Sequence, residues 1–234
     1  MVAFRAGRYH RSMCFSASAS FAAGTTLSAI GVATLKNVRS KSERPFAMMP
    51  LLFGVQQLTE GVIWLTFGHD ALALRQVMTY VFIGFARVLW PVYVPFAFGM
   101  LEPVRWRKRA IFAFEAAGVA VSGYLLWGMM TGPVIAEVAG MHIVYASRQF
   151  DATPTTVLYV AATCASGLFS SFPFVRMFSA LAFGSFIAAN MMAANAMVSV
   201  WCFFAALLSF LIYLHLKLPR AERRHALVAA VDLT

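Results

Sequence analysis

Acidic side chains are scarce in this chain. Its 234 residues include nine Asp and Glu against nineteen Lys and Arg, and charged residues of both signs make up only 12%. A soluble domain carries about 25%. With 61% of the residues hydrophobic, there is too little polar surface to cover a water-soluble core. The composition therefore gives an integral membrane protein. Cysteine is rare too: the three present, Cys14, Cys164 and Cys202, form no CxxC pattern. That excludes a disulfide framework or a thiolate metal site.

Histidine is missing from the middle of every apolar run. His10, His69, His142, His215 and His225 fall in loops, tails or segment ends. A zinc-dependent intramembrane hydrolase needs several such ligands at one depth, and a two-histidine haem site fails on the same ground. The many membrane serines lack a spanning histidine as base. The last apolar run has a lysine only at its end, Lys217, which excludes a retinal Schiff base. No metal and no cofactor are called for, and an enzyme finds little support.

What is present is a series of apolar segments. A membrane-crossing helix needs about 20 mostly apolar residues. Seven such segments are expected, at 14–35, 46–67, 76–101, 110–131, 155–172, 174–193 and 196–217. The fold class is all-α, a seven-helix transmembrane bundle over 13–218, with a basic tail at 219–234. The fifth and sixth segments are short and separated only by "SSFPF"; a re-entrant pair is the alternative there. The loop between the fourth and fifth is the one long connection. It reads as a short interfacial helix carrying Val138, Met141, Ile143 and Tyr145.

The net charge of +10 does not point to nucleic acid, because the basic residues sit in short runs between apolar segments. Lys36, Arg39, Lys41 and Arg44 fill one linker, and Arg105, Arg107, Lys108 and Arg109 another. With Arg176 and the tail, alternate linkers hold thirteen basic residues against two. The positive-inside rule then puts the N-terminus outside and the C-terminus inside the cell inner (plasma) membrane. "MVAFRAGRYHRS" breaks the pattern with Arg5, Arg8 and Arg11. Residues 1–12 are read as an upstream start extension, disordered, with Met13 as the biological start.

"MCFSASASFAAG", "PLLFGVQQLTEGVIWL", "LWPVYVP" and "SVWCFFAALLS" together resemble a family of uncharacterised bacterial multi-pass membrane proteins. Members begin MCFSA and carry an FG-(I/V)-QQ-x-x-EG-x-x-W segment. The resemblance runs from Met13 to about Ser209. It implies a seven-helix membrane protein and no particular activity. Its motifs fall on Cys14, Gln56, Gln57, Glu60, Trp64, Trp90, Pro91, Trp201 and Cys202.

The second apolar segment holds Gln56, Gln57 and Glu60. A charge at mid-bilayer costs at least about 2.5–3.5 kcal/mol, so Glu60 must face the bundle interior. Positions three and four apart share a helix face, which puts Gly54, Gln57, Glu60, Gly61 and Trp64 on one stripe. Arg87, in the antiparallel third segment, is the expected partner of Glu60, by ion pair or bridging water. Pro91 and Pro95 are expected to kink that segment. Tyr80, Tyr124, Trp127, Asn190 and Ser199 are expected in the same half. The intramembrane site thus comprises Gln56, Gln57, Glu60, Arg87, Trp64, Tyr80 and Asn190.

Three functions fit. The first is an outward-facing polar pocket that binds or senses a small molecule or ion. The second is a small proton-coupled transporter or channel with Glu60 as its titrating carboxylate. The third is an accessory subunit packed on another membrane protein. Only Glu115, Ser170 and Ser171 could continue a polar path inward, and the apolar run from Leu207 to Leu214 closes that side. Binding or sensing is the reading this favours.

Overall fold

A computed structural model describes residues 16–69, 71–140, 142–146, 153–193 and 196–217. Residues 1–12, expected to be a start extension, together with Met13, Cys14, Met141 and the basic tail at 219–234, lie outside the described residues. Helix α1 is Ala17–Lys36, its first turn capped by the Ser16 hydroxyl, and α2 is Arg44–Thr66, opening on Pro45. Helix α3, Leu72–Ile83, continues through a π-helical segment, Gly84–Leu89, into α4, Trp90–Leu101. Helix α5 is Arg105–Thr131. After a two-stranded interlude come α6, Thr153–Val160, a second π segment, Ala161–Ala165, and the short α7, Ser166–Leu168. Helix α8 is Pro173–Ala193, α9 is Met197–Leu208 and α10 is Phe210–Lys217.

Among the described residues, six helices are long and apolar enough to cross a membrane. The segment expected over 155–172 is not one of them. The run α6–π–α7 ends at Leu168, so at about 1.5 Å per residue it falls short of a hydrocarbon core about 30 Å thick.

The loop expected to be an interfacial helix is a β-hairpin instead. Strand β1, Ile135–Ala139, pairs antiparallel with β2, His142–Ala146, in the register Ala136↔Tyr145 and Val138↔Ile143. Gly140 opens the turn with φ +64°, a left-handed conformation that glycine adopts without a Cβ clash. Burial alternates along β2: Ile143 and Tyr145 point in, while Val138 on β1 is exposed. That is the period of two of a strand lying on a core, which the helical reading missed.

The packing explains the order of the elements. Along α1 and α2, glycines permit near-contact of the two backbones. A Cβ on Gly31 would sit 2.5 Å from Leu51 N, and one on Gly54 2.5 Å from the Ser28 hydroxyl. Gly54 and Gly61 therefore face α1, and these two glycines of the stripe expected on α2 serve packing. Such small-residue contacts are how helices associate in lipid. Across the bundle, Gly118 of α5 lies against the Pro91 carbonyl, where an added Cβ would come within 1.9 Å. That carbonyl is free of the helix ladder because Pro95 has no N–H to give it.

The hairpin closes one end of the bundle. Ala136, Ile143 and Tyr145 join Ile63, Phe82, Ile83, Ala86 and Met129 in a core beneath it. Gln76 of α3 ties it down by donating to Val134 O at 3.0 Å. At the opposite end, Arg107 reaches Phe169 O at 3.4 Å and His215 sits among the rings of Phe46, Phe172 and Phe174. The basic linkers therefore gather at that end.

Candidate functional site

Helix α2 brings Gln56, Gln57 and Glu60 into the protein interior, all three essentially without solvent contact. Trp90, the first residue of α4, stacks on Phe53 at 3.9 Å and donates its Nε1–H to Gln56 Oε1 at 2.7 Å. The Gln56 amide lies against the Cys202 thiol of α9. One turn further along α2, Glu60 Oε1 accepts two hydroxyl hydrogen bonds. Ser199 of α9 donates at 2.5 Å and Tyr145 of the hairpin at 3.3 Å. Both fall on the same oxygen.

Tyr145 is the residue that organises the site. Its ring stacks on Phe82 at 4.7 Å, its hydroxyl serves Glu60, and its backbone carbonyl accepts from Arg87 Nη2 at 3.4 Å. Burial first, then the charge of Glu60 and the hydrogen bond to it, hold its phenol well above the usual range. It therefore stays a hydroxyl donor at any physiological pH. Glu60 and Arg87 are thus linked through Tyr145, at the place where an ion pair or bridging water was expected.

The π segment sets the position of Arg87. Pro91 cannot donate to the Arg87 carbonyl as a straight helix would require, and the preceding backbone widens into π geometry. Two of the carbonyls this exposes are taken by neighbouring hydroxyls: Ser122 of α5 donates to Val88 O at 2.9 Å, and Tyr159 of α6 donates to Ala86 O. At the kink expected here, hydroxyls from α5 and α6 thus satisfy backbone carbonyls of the π segment.

Gln57 differs from its neighbours. It is completely buried, yet neither its Oε1 nor its Nε2 has a hydrogen-bond partner among the described residues. Buried side-chain amides are nearly always satisfied, and an unmade bond costs about 1–3 kcal/mol. Trp64 and Tyr80 lie half-buried at the edge of the core under the hairpin. Asn190 is exposed on α8, and Tyr124 and Trp127 are exposed on α5; these three stand apart from the cluster. Ser199, a Glu60 partner, belongs at its centre. Glu115, expected as a step of an inward polar path, is half-buried on α5. No group of three or more His, Cys, Asp and Glu among the described residues could hold a metal ion.

A second buried carboxylate lies at the other end of the bundle. Glu102, just past α4, accepts from Val104 N at 3.1 Å and Ser171 Oγ at 2.6 Å on one oxygen. On the other it accepts from Ser171 N at 2.7 Å and Ser170 Oγ at 3.2 Å. It ties the end of α4 to the start of α8. Ser170 and Ser171, expected as steps of a polar path, are committed to this junction. In sequence Glu102 looked like a linker residue; its serines lie in another linker.

Two cavities open on the other side of Trp90. An apolar groove of about 400 Å³ runs between α6–α7 and α8, and a small aromatic cavity of about 30 Å³ lies deeper, walled by Trp90, Tyr159, Trp201 and Cys202. Glu60 lines neither of them, so in this structure the polar cluster is sealed rather than open to the outside.

No curated protein and no solved structure matches this chain. A family model does match it, over residues 13–228, so the chain belongs to the family of unknown function DUF6629.

Proposed function

We propose that this protein is a ligand-binding or sensory module of the inner membrane, with its ligand site at Gln57, Glu60, Tyr145 and Arg87. The observation that carries the reading is the unsatisfied Gln57 amide, completely buried and one turn from Glu60. Nearby, Glu60 has both of its hydrogen bonds on Oε1 and none on Oε2 among the described residues. A cluster built for packing alone would satisfy these groups or replace them by apolar ones. A bound polar group would satisfy both at once, and Tyr145 places the hairpin as the lid over it.

In this reading the short α6–π–α7 run is the fifth of seven crossings, its ends met by local thinning of the bilayer. The basic linkers and Glu102 face the cytoplasm, and the hairpin faces outward. Transport is the second reading. The absence of a polar path argues against it, since Ser170 and Ser171 are held by Glu102.

The deciding experiment has two arms. Protein purified gently from its own membranes is analysed by native mass spectrometry, beside Gln57→Leu and Glu60→Gln. The parent is expected to retain a small molecule that both variants lose. Reconstituted in liposomes with an internal pH dye, parent and Glu60→Gln are both expected to be silent. Proton movement in the parent that vanishes in Glu60→Gln would replace binding by transport. No retained molecule and no movement would leave the cluster as helix packing.

A further inference from the structure

The groove beside the cluster is shaped for a chain. From Thr156 to Leu168 it follows α6–α7 for about 18 Å at about 1.5 Å per residue, close to the half-thickness of a hydrocarbon core about 30 Å deep. Its walls include Val160, Ala161, Ala165 and Phe186, and are apolar apart from Thr156 and Cys164. The π segment Ala161–Ala165 forms one side, and π turns inside helices frequently mark functional sites.

The groove does not end blindly. Cys164 lines both it and the deeper aromatic cavity. Trp90 and Cys202, which also line that cavity, touch Gln56. Apolar surface thus passes into aromatic surface, and aromatic surface into the amides and carboxylate of α2. A water-soluble ligand has no use for this succession of surfaces, whereas a molecule with one tail and one polar head matches each part of it.

We propose that the ligand of the Glu60 cluster is a single-tailed membrane amphiphile that arrives sideways from the bilayer. Its tail lies in the groove between α6–α7 and α8, and its head passes Cys164 to the cluster. The head carries hydroxyl or amine donors, because Glu60 Oε2 and Gln57 Oε1 offer acceptors. Trp90 is the gate: its hydrogen bond to Gln56 must open for the head to pass. The inference rests on the reading of this cluster as a ligand site.

The test uses a monoacylglycerol with a diazirine in mid-tail, in phosphatidylcholine vesicles holding the full chain. A phosphatidylcholine bearing the same diazirine is the control for bulk lipid. Irradiation and peptide mapping are expected to place the monoacylglycerol label on α6–α7 and α8 well above the control. Ala165→Phe fills the groove at a half-exposed position and is expected to lower the label about tenfold, as is loss of the head contacts in Glu60→Gln or Gln57→Leu, about 1.4 kcal/mol each. Melting curves beside each variant report folding. Groove labelling that ignores both head variants would mean ordinary boundary lipid and overturn the proposal. An unlabelled groove in a protein that still retains a small molecule lost in Gln57→Leu would also overturn it, leaving the ligand site itself standing. Neither label nor retained molecule would remove both.

Discussion

Among the described residues two glutamates are buried, Glu60 and Glu102, and they are buried differently. Glu102 receives four hydrogen bonds, two from backbone N–H groups, spread over both of its oxygens. Glu60 receives two, both from hydroxyls and both on one oxygen. The groups that surround Glu102 are the nearby Val104 N–H and the Ser170–Ser171 pair just before α8. Those around Glu60 come from α9 and the hairpin, and its neighbour Gln57 is unsatisfied. A carboxylate that is saturated by the fold can only hold the fold. One that is half-served, next to an unserved amide, has capacity left for a ligand. Burial alone does not distinguish the two carboxylates; the count and source of the donors do.

The largest effect should come from the saturated end. Glu102→Ala strands two backbone donors and two serines, and is expected to destabilise by about 3 kcal/mol or more, since each bond to a charged acceptor is worth about 1.5–3 kcal/mol. Detergent-resistant unfolding followed by tryptophan fluorescence would show it, and a loss below about 1 kcal/mol would mean that the carboxylate is not the clamp between α4 and α8. Next is Gly118→Ala, which drives a methyl into the Pro91 carbonyl and should cost about 1–3 kcal/mol as overpacking. The cost should fall on stability, with ligand retention changed only in proportion.

At the Glu60 end the effects on stability should be small and of mixed sign. Tyr145→Phe removes one hydroxyl donor and should cost about 0.5–1.5 kcal/mol, while loosening the hairpin enough to speed hydrogen exchange in β2. Gln57→Leu exchanges an unsatisfied amide for an apolar group of similar length and should stabilise the ligand-free protein by about 1 kcal/mol. Destabilisation by Gln57→Leu would show that the amide has a structural partner, and the contrast between the two ends would fail.

The helices were legible in the sequence because hydrocarbon imposes a length and a polarity on every crossing. Gln56, Gln57 and Glu60 are buried, as the same constraint requires of polar groups in a span, and Arg87 meets the carbonyl of the tyrosine whose hydroxyl meets Glu60. Three features were not legible. The hairpin alternates apolar residues over only five positions per strand, and Val138, Ile143 and Tyr145 also fit a helical spacing. Glu102 meets serines that lie almost seventy residues away in the chain, a pairing without a local signal. Asn190 is polar and within an apolar helix, which suggested an inward face, yet α8 turns it outward. A lone amide near the end of a span costs little, whereas a carboxylate at mid-span is expensive unless it faces the interior.

The most direct measurement sets Glu60→Gln beside Glu102→Gln in one preparation. Unfolding free energy and retained small molecule are measured for each and for the parent. The account predicts that Glu60→Gln loses the molecule and keeps its stability, while Glu102→Gln loses stability and keeps the molecule for as long as it stays folded. If Glu60→Gln unfolds as readily as Glu102→Gln, and the parent retains nothing, then both carboxylates are structural and the site is not one.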